Sequence, residues 1–523
     1  MTTHVNTQAA LLASVTGFAR SNPLLVIFVF LAVGFRVLFS VVTHRTWEDA
    51  LILDSVTKNF WSGNGLTHQI GEEPIQSFSS VIWMLFSLAG NSVGQGVLFL
   101  KLITLVATVA MIWFAYSIAI TWRVSNPGII LILGFLSFEQ IHVTFGMAGM
   151  ESQFATAFVL LGIWALIKQR SDVLMLTATL APLVRPELIF WSFLVVLIYV
   201  IQPRLITLRA VAISFPPLAL WVLFAVVYYG TFIPQTVTAK SLIGTTNVNK
   251  SGIVNGVTAS LNSWERVAPY FGNYFATSGL IPRTVGVWIV AVLVVLFLAG
   301  VVHVFRLSVL WAIPALIVPM FVLYVGFFNV SNYHMWYVPP FSAVLILYAG
   351  AAFSLFPRVF VPIKYFVSCG IVFLYLIPTV SYFQHDAYVQ KEIDVGVRGA
   401  AGIQLNSLMN SEQTVILEPL GFMGSEVNAG PIIDYPGLAS RTMTNSLELI
   451  PLGERNMGSA VRGIRPDFVV VRQGEWQSFN PSDHPELADY KLLAAIGNPS
   501  DGDLVFTGAT YSNSDRYFEI YGR

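Results

Sequence analysis

The sequence predicts a polytopic α-helical membrane protein of about eleven spans, followed by a small α/β domain. Three observations support this fold class. Of the 523 residues, 55% are hydrophobic and only 11% are charged, and the mean hydropathy is +0.70. Eleven apolar segments approach or reach the length of about 20 residues that a membrane-spanning helix needs. After Tyr382 the apolar runs become short and mix with charged residues up to Arg523.

The predicted spans are joined by short turns, apart from two longer stretches. They cover 23–43, 97–121, 127–145, 152–168, 171–183, 187–202, 208–229, 284–305, 308–327, 337–355 and 362–382. The longer stretches are a loop at 44–96 and a second loop at 231–283. Residues 77–90 in the first loop are apolar but short, so we expect an amphipathic helix that lies in the membrane interface.

Basic residues predict the orientation of the chain, because Lys and Arg are concentrated in cytoplasmic turns. With the N-terminus in the cytoplasm, the inner turns receive nearly all the basic residues of the short connections: Arg20, Arg123, Lys168, Arg170, Arg204, Arg209, Arg306, Arg358 and Lys364. An odd number of spans then places the C-terminal end outside. We therefore expect a multi-pass protein of the cell membrane. Residues 1–383 would form its membrane domain, and residues 384–523 an extracytoplasmic α/β domain on the same side as loop 44–96.

The C-terminal domain shows strand patterns but no cofactor motif. Five segments resemble short strands: TVILEPL, GPIIDYPG, DFVVVR, DLVFTG and YFEIYG. The stretches GSEVNA, SLELI and that around Lys491 resemble short helices or turns. Metal-ligand spacings, a Walker-type loop and a G-x-S-x-G elbow are not found in this C-terminal domain, and we expect neither a cofactor nor a metal. The formal net charge of +0 gives no reason to expect a nucleic-acid partner.

Two pairs of acidic residues lie in loop 44–96. Glu48 and Asp49 follow the first span closely, and Glu72 and Glu73 follow a Gly-rich turn. A carboxylate at the membrane surface is suited to remove a proton from an acceptor hydroxyl. The alternative interpretation is a solvated loop whose charges keep two helices from sinking into lipid.

Further polar residues lie at the predicted outer ends of the spans. They include Glu139, His142, Glu151, Arg185, Glu187, Lys240, Arg283, His334 and Trp336. Ionisable residues at membrane depth are costly and usually line a cavity or pair with each other. The set as a whole predicts a polar cavity beside Glu48 and Asp49, whereas any one member alone is explained as an interface anchor or a salt bridge. Arg36, inside the first span, is expected to have a structural role.

Several motifs, taken in order, resemble the GT-C membrane glycosyltransferases. WEDALILDSVTKNFWSGNGL is similar to the start of their first outer loop, and EPIQSFSSVIW to their E-x-V-E-G-Y-T-S-x-L-W stretch, with Gln76 where an acid is usual. GMES resembles G-L-E-T, and VRPE resembles A-R-P-E. YYGTFIPQTVTAK resembles Y-Y-G-x-x-x-P-N-T-x-x-A-K, with Gln235 in place of Asn. IIDYPGL and RPDFVVV resemble strands of the outer domain of that family.

The resemblance implies an enzyme that moves a single sugar from a polyprenyl-phosphate donor to an envelope glycan or glycoconjugate at the outer face of the membrane. It is strongest to the arabinofuranosyltransferases of mycolate-type cell walls, which use decaprenyl-phosphate arabinose. Relatives with the same motifs glycosylate other envelope polymers, so the sugar and the acceptor stay open. Carried over by motif, Glu48 and Asp49 are catalytic. The residues expected to contact substrate are Lys240, Arg185, Glu151, His334, Arg283, Glu72, Glu73 and Gln76.

Between the two catalytic candidates, the sequence favours Asp49 as the general base. Successive residues of a helical turn point about 100° apart, so only one of the pair can face the cavity. Asp49 begins the apolar face of ALILD, which we expect to pack inward. Glu48 would then orient the acceptor or balance a nearby cation. The alternative for Asp49 is a helix N-cap, a common role of this residue type.

Three other functions fit a polytopic protein with buried charges. A lipid or solute transporter or flippase is the main alternative, although such proteins usually show internal repeats and helices broken in mid-membrane. A ligase that moves whole glycans from a lipid carrier would use the same outer face. A structural scaffold would leave the acidic residues of the outer face without a role.

Overall fold

The computed structural model describes residues 20–70, 73–243, 283–327, 335–498 and 514–523. Most of these residues are helical. The helices before residue 244 are α1 (Pro23–Thr43), α2 (Glu48–Trp61), α3 (Val81–Asn91), α4 (Gly96–Thr121), α5 (Asn126–Phe138), α6 (Gln140–Met147), α7 (Ser152–Ile167), α8 (Ser171–Val184), α9 (Ile189–Ile201), α10 (Leu208–Tyr229) and α11 (Gln235–Ile243). Those from residue 283 to the sheet are α12 (Arg283–Leu307), α13 (Val309–Ala312), α14 (Ile317–Phe327), α15 (Pro339–Ala351), α16 (Val361–Tyr388), a π-helix (Val389–Gly399) and α17 (Ala400–Leu408).

Each predicted apolar segment is helical, and most boundaries agree within a few residues. By length and composition, five of the described helices can cross a membrane, or six if the bent pair α5–α6 counts as one span. The remaining apolar helices have 10–17 residues. The chain is therefore a multi-pass membrane protein, and the count of eleven spans stays a prediction. Of residues 77–90, expected to form a helix at the interface, those from Val81 onward are helical and belong to α3.

Helix α2 carries the first acidic pair, and its charged residues lie at its two ends. Its N-cap residue is Trp47, so Glu48 and Asp49 occupy the first turn, and Lys58 lies in the last turn. Acidic residues at the N-terminal end and basic residues at the C-terminal end of a helix are stabilised by the helix dipole. Because the N-cap residue is Trp47, the alternative interpretation of Asp49 as the helix N-cap is wrong.

The chain comes close to α2 at Gly149, in the GMES motif. Gly149 has a φ of 86°, and a Cβ there would lie only 2.9 Å from the Cβ of Ala50. Its carbonyl accepts a hydrogen bond of 2.8 Å from the indole of Trp83. Glycine permits both the left-handed backbone and the close approach. This contact brings the N-terminal end of α7 beside the acidic residues of α2.

Helices α5 and α6 form one apolar segment that bends by 41° at Glu139. The bend leaves the carbonyl groups of Leu136 and Ser137 without helical partners, and Arg36 of α1 donates to both. Its guanidinium reaches the carbonyls of Leu136 at 2.9 Å, Ser137 at 3.2 Å and His142 at 3.3 Å. Arg36 is fully buried, so these hydrogen bonds supply the partners that lipid and water do not.

Helix α16, the π-helix and α17 form one continuous helical segment up to Leu408. The predicted domain boundary between residues 383 and 384 therefore falls within a helix, and the first strand begins at Val415. The wider π-helical turns place Asp394 and Arg398 beside the N-terminal end of α2. The division of the chain at this point stays a prediction.

The C-terminal region contains a five-stranded sheet in the order β2-β1-β3-β5-β4. Its elements are β1 (Val415–Leu417), β2 (Ile432–Asp434), α18 (Arg441–Leu449), α19 (Met457–Ile464), β3 (Phe468–Arg472), α20 (Glu475–Ser478), β4 (Lys491–Gly497) and β5 (Tyr517–Gly522). Strands β1, β2 and β3 are parallel, whereas β5 runs antiparallel to both β3 and β4. The helices that follow β2 cover one side, where Met443, Val461 and Trp476 pack.

Four of the predicted strands are confirmed, and DLVFTG lies outside the described residues. The expectation of a helix or turn around Lys491 is wrong, because β4 forms there. KLLAAIG has helix-forming residues, but the strand pairs with β5 from Lys491 to Gly497 with one irregularity at Leu493, and it is mostly exposed at the edge of the sheet. Tertiary pairing therefore overrides local preference.

Polar contacts join the sheet region to the helices. The amide of Gln69 exchanges two hydrogen bonds of 2.7 Å with the backbone of Ile432. Gln235 of α11 donates to the carbonyl of Gly437 at 3.2 Å and to Thr444 at 3.0 Å. The C-terminal sheet is thereby fixed against loop 44–96 and against α11.

Candidate active site

A cavity of about 580 Å³ lies where α2, α7 and α11 meet the C-terminal sheet. From the helical part it is lined by Arg45, Trp47, Glu48, Asp49, Ser79, Ser80, Trp83, Glu151, Lys240, Trp336, Asp394 and Arg398, among others. From the sheet region it is lined by Glu418, Pro419, Leu420, Phe422, Tyr435, Pro436, Leu438 and Arg472. Its size and its mixture of aromatic and charged groups are those of a small-molecule site.

Asp49 is a partly exposed carboxylate in this cavity. Within the described part of the chain, no group donates a hydrogen bond to its side chain and no cation forms a salt bridge with it. Burial raises the pKa of Asp49, and the ammonium of Lys240 opposes this shift. The oxygens of Asp49 are thus directed to the cavity without a protein partner, as a general base requires.

Glu48 is held by two partners. Its Oε2 lies 2.9 Å from Nη1 of Arg398, and its Oε1 accepts a 2.9 Å hydrogen bond from the backbone N–H of Gly421. A Cβ at Gly421 would overlap Glu48, so only glycine allows this approach. Burial raises the pKa of Glu48 to about 7 against the effect of Arg398. That value suits a base, but geometry comes before pKa, and both oxygens are already engaged.

Lys240 approaches the cavity from α11, which follows the YYGTFIPQTVTAK motif. Its Nζ donates a 3.0 Å hydrogen bond to the phenol of Tyr337 and lies 5.7 Å from the centre of that ring. Among the described cations of the cavity wall, Lys240 is the one without a salt bridge to a carboxylate. It is therefore the cation best placed to receive an anionic group from a ligand.

Arg185 is close to Tyr337 and is not among the residues that line the cavity. It forms a salt bridge of 2.6 Å with Glu151 and a second, close one with Glu187, and it stacks 4.6 Å from the centre of the Tyr337 ring. Only 1% of Arg185 is exposed. Two carboxylates neutralise this cation, so its contacts are those of a residue that positions Glu151 and Tyr337.

The other cations of the cavity wall form a chain of ion pairs that the sequence did not predict. Arg45 pairs with Asp394, Arg398 pairs with Asp394 and Asp515, and Arg472 pairs with Asp515 and Glu418. Asp394 and Arg398 are four residues apart, a spacing typical of a helical ion pair. Their role beside Glu48 could not be derived from sequence, since they come from a segment about 350 residues later.

Aromatic side chains form a second part of the wall. The rings of Trp47 and Trp336 lie 5.2 Å apart in an edge-to-face arrangement, and Phe145 packs against both. The guanidinium of Arg45 lies 4.9 Å from the centre of the Trp47 ring. Aromatic faces beside polar groups are suited to a ligand with both apolar and hydroxylated surfaces.

The remaining predicted site residues lie elsewhere. Glu73 is exposed and forms a 3.1 Å salt bridge with Arg441. Gln76 is buried outside the cavity lining, and its backbone carbonyl accepts a 3.0 Å hydrogen bond from Gln235. Glu72 and His334 lie outside the described residues, as does the side chain of Arg283. No group of three His, Cys, Asp or Glu side chains in the described ranges is arranged to hold a metal ion.

Comparisons with known proteins give matches among solved structures only. No family model and no curated protein matches the sequence. The crystal structure of ArnT from Cupriavidus metallidurans bound to undecaprenyl phosphate aligns with a TM-score of 0.53 at 10% identity, over 96% of this chain and 98% of ArnT.

Two further structures are similar with lower scores. The arabinofuranosyltransferase AftD from Mycobacteria gives a TM-score of 0.45 at 13% identity, over 96% of this chain and 40% of AftD. The apo oligosaccharyltransferase of Archaeoglobus fulgidus gives a TM-score of 0.49 at 10% identity, over 89% of this chain and 71% of that enzyme. The likeness to ArnT covers nearly the whole of both chains, and the fold is the GT-C fold predicted from the order of the motifs.

Proposed function

We propose that the chain is a glycosyltransferase that moves a single sugar from a polyprenyl-phosphate donor to a hydroxyl group of an envelope glycan or glycoconjugate. The observation that carries this proposal is that one cavity holds both Asp49 and Lys240, a carboxylate and a cation that form no salt bridge with any described residue. A base for the acceptor and a cation for the leaving phosphate are the two groups the reaction needs.

In the proposed reaction, Asp49 takes the proton of the acceptor hydroxyl as the oxygen attacks the anomeric carbon of the donor. The bond between that carbon and the phosphate oxygen breaks, and the lipid monophosphate departs with the bonding electrons. Lys240 stabilises the charge that develops on the phosphate. Glu48, held by Arg398 and Gly421, fixes the first turn of α2 and so the position of Asp49.

The fold supports a lipid donor. ArnT was solved with undecaprenyl phosphate, and this chain has the same fold over nearly its whole length. The cavity lies at the end of apolar helices, which would let a polyprenyl tail stay in the bilayer while the phosphate reaches Lys240. We assign it to the extracytoplasmic face, because the basic turns of the sequence favour the opposite side.

The sugar is proposed from the motifs. WEDALILDSVTKNF and YYGTFIPQTVTAK resemble the corresponding stretches of arabinofuranosyltransferases, so arabinofuranose is the first sugar to test. A transporter would need a path across the membrane, whereas this cavity is bounded by the C-terminal sheet on one side. We therefore keep the transporter only as an alternative outcome of the test.

The test uses the purified full chain in liposomes with polyprenyl phosphates that carry radiolabelled arabinofuranose, mannose or glucose. Transfer to a hydroxylated acceptor, or slow release of free sugar in its absence, is expected from one of these donors. A parallel assay follows movement of a fluorescent polyprenyl lipid between leaflets. Lipid movement without transfer or hydrolysis of any donor would contradict the proposal and favour the transporter.

A further inference from the structure

A second cavity of about 590 Å³ lies on the other side of α2. Positions of a helix advance by about 100°, so Leu51, Asp54 and Lys58 face away from Asp49 and Leu53. The opposite wall comes from residues 424–432 of the C-terminal region. Helix α2 therefore separates this second cavity from the candidate active site.

His68 gives this cavity an unusual buried polar group. The side chain is only 7% exposed, and neither Nδ1 nor Nε2 has a hydrogen-bond partner among the described residues. A buried polar group without a partner is costly, and a hydroxyl group of a ligand in this cavity would supply the missing hydrogen bonds. Burial lowers the pKa of His68 to about 4, which keeps the imidazole neutral near pH 7 with one donor and one acceptor nitrogen.

The walls around His68 are held rigidly. The amide of Asn59 donates to the carbonyl of Thr67 at 3.0 Å and to that of His68 at 2.9 Å. On the other side, Gln69 is fixed by its two hydrogen bonds to the backbone of Ile432. The backbone that carries the imidazole is thus fixed on both sides, as in a preformed binding site.

The charges of this cavity favour a neutral ligand. Lys58 forms a 2.7 Å salt bridge with Asp54, so the one lysine of the described lining is already paired. Glu426 adds a carboxylate, and Ser411, Ser425 and Asn428 add hydroxyl and amide groups. Leu51 and Ile70 supply apolar patches between them. A phosphate would find no unpaired cation in the described lining, whereas a polyhydroxylated chain would find hydroxyl partners and apolar contacts.

The geometry points to a second binding site in this cavity for a neutral oligosaccharide segment, separate from the reaction site. Resting on the proposed function, we identify that segment as a distal part of the acceptor glycan. The imidazole of His68 pairs with sugar hydroxyls, and Ile70 packs against the C–H groups of a ring. The site would retain a long acceptor near α2 while its end is extended in the first cavity.

The test measures binding and transfer separately. Saturation-transfer NMR titrations use linear arabino- and gluco-oligosaccharides of one to six sugars with the full-length protein in nanodiscs. His68→Phe removes both ring nitrogens, and Asn428→Trp fills the exposed rim without changing the core. Gln404→Trp, exposed on α17 and outside both cavities, is the matched control. Both cavity variants are expected to weaken binding of the six-sugar chain at least tenfold.

Transfer kinetics distinguish this inference from the proposed function. The variants should raise KM for a six-sugar acceptor about tenfold and leave KM for a one- or two-sugar acceptor unchanged. If wild-type protein binds none of the oligosaccharides, or Asn428→Trp binds and extends them like wild type, the second site is refuted even when transfer occurs. If the oligosaccharides bind, the two cavity variants weaken that binding, and no donor supports transfer, the second site is supported as a glycan site and the proposed function is refuted.

Discussion

At the residue scale, the site depends on which charged groups are already paired. Within the ranges that the structure describes, Asp49 and Lys240 form no salt bridge, whereas Glu48, Arg185 and Arg398 each do. A charged group whose charge is neutralised by a salt bridge within the protein attracts a charged ligand less strongly. This distinction separates residues that would take part in the reaction from those that position them, and it was not visible in the sequence.

Lys240→Met tests the electrostatic relation between the two groups. The ammonium lowers the pKa of Asp49, so its removal should raise that pKa. Asp49 acts in its ionised form, and the acid limb of kcat/KM should therefore move to higher pH. Loss of a charged contact to the phosphate should also lower kcat/KM by about 10- to 100-fold at neutral pH.

The matched control is Lys391→Met, since Lys391 is 84% exposed and lies outside the cavity. It should keep the wild-type profile. An acid limb that stays in place, or moves to lower pH, in Lys240→Met would show that Lys240 does not act on the base.

Arg185→Met should affect stability more than donor binding. Its removal leaves Glu151 and Glu187 as buried carboxylates without their cation, which costs about 3–5 kcal/mol. Thermal unfolding in detergent should show a clear drop in Tm for Arg185→Met and little change for Lys240→Met. A normal Tm with a specific loss of donor affinity would instead return Arg185 to the phosphate site predicted from its motif.

At the scale of elements, hydrophobic length and turn composition predicted the helices well. The boundaries of α1 and α10 agree with the predicted spans, because long apolar runs end at polar or glycine residues. The edge strand β4 was missed, since its pairing with β5 is non-local. The π-helical segment was missed too, and with it the placement of Arg398 beside Glu48.

Arg36→Met tests how the bend between α5 and α6 is stabilised. The buried guanidinium donates to the carbonyls of Leu136 and Ser137 at the break, and the substitution leaves them unsatisfied in an apolar environment. We expect a loss of about 3 kcal/mol in the free energy of unfolding, measured by chemical or thermal denaturation in detergent.

Arg306→Met is the control for that measurement, because Arg306 is exposed at the end of α12. It should unfold like wild type. Equal stability of both variants would mean that Arg36 does not hold the bend.

At the scale of the whole molecule, the candidate site depends on the C-terminal sheet being placed over the helices. The sequence predicted both parts and the placement of Asp49, Glu151 and Lys240 in one cavity, because these residues lie at the same ends of neighbouring segments. It did not predict that Glu418, Leu438 and Arg472 would complete the wall. Such contacts depend on how the two parts meet, which local patterns do not encode.

The orientation of the chain is tested by cysteine labelling. Cys369, the one native cysteine, is first replaced by serine, and single cysteines are then introduced at Ser478 and at Gln202, both exposed. A membrane-impermeant maleimide applied to intact cells should label Ser478→Cys and leave Gln202→Cys unlabelled. The reverse pattern would place the C-terminal sheet in the cytoplasm and contradict the outer-face site.

The central claim is that Asp49 is the base of a sugar transfer, and Asp49→Asn tests it most directly. Asparagine keeps the size of the side chain and cannot take a proton. The measurement is the rate of sugar transfer from the polyprenyl-phosphate donor by protein whose Tm is unchanged. We expect a fall of about 10²- to 10⁴-fold, the usual contribution of a general base. Transfer at a near wild-type rate by folded Asp49→Asn would contradict the account.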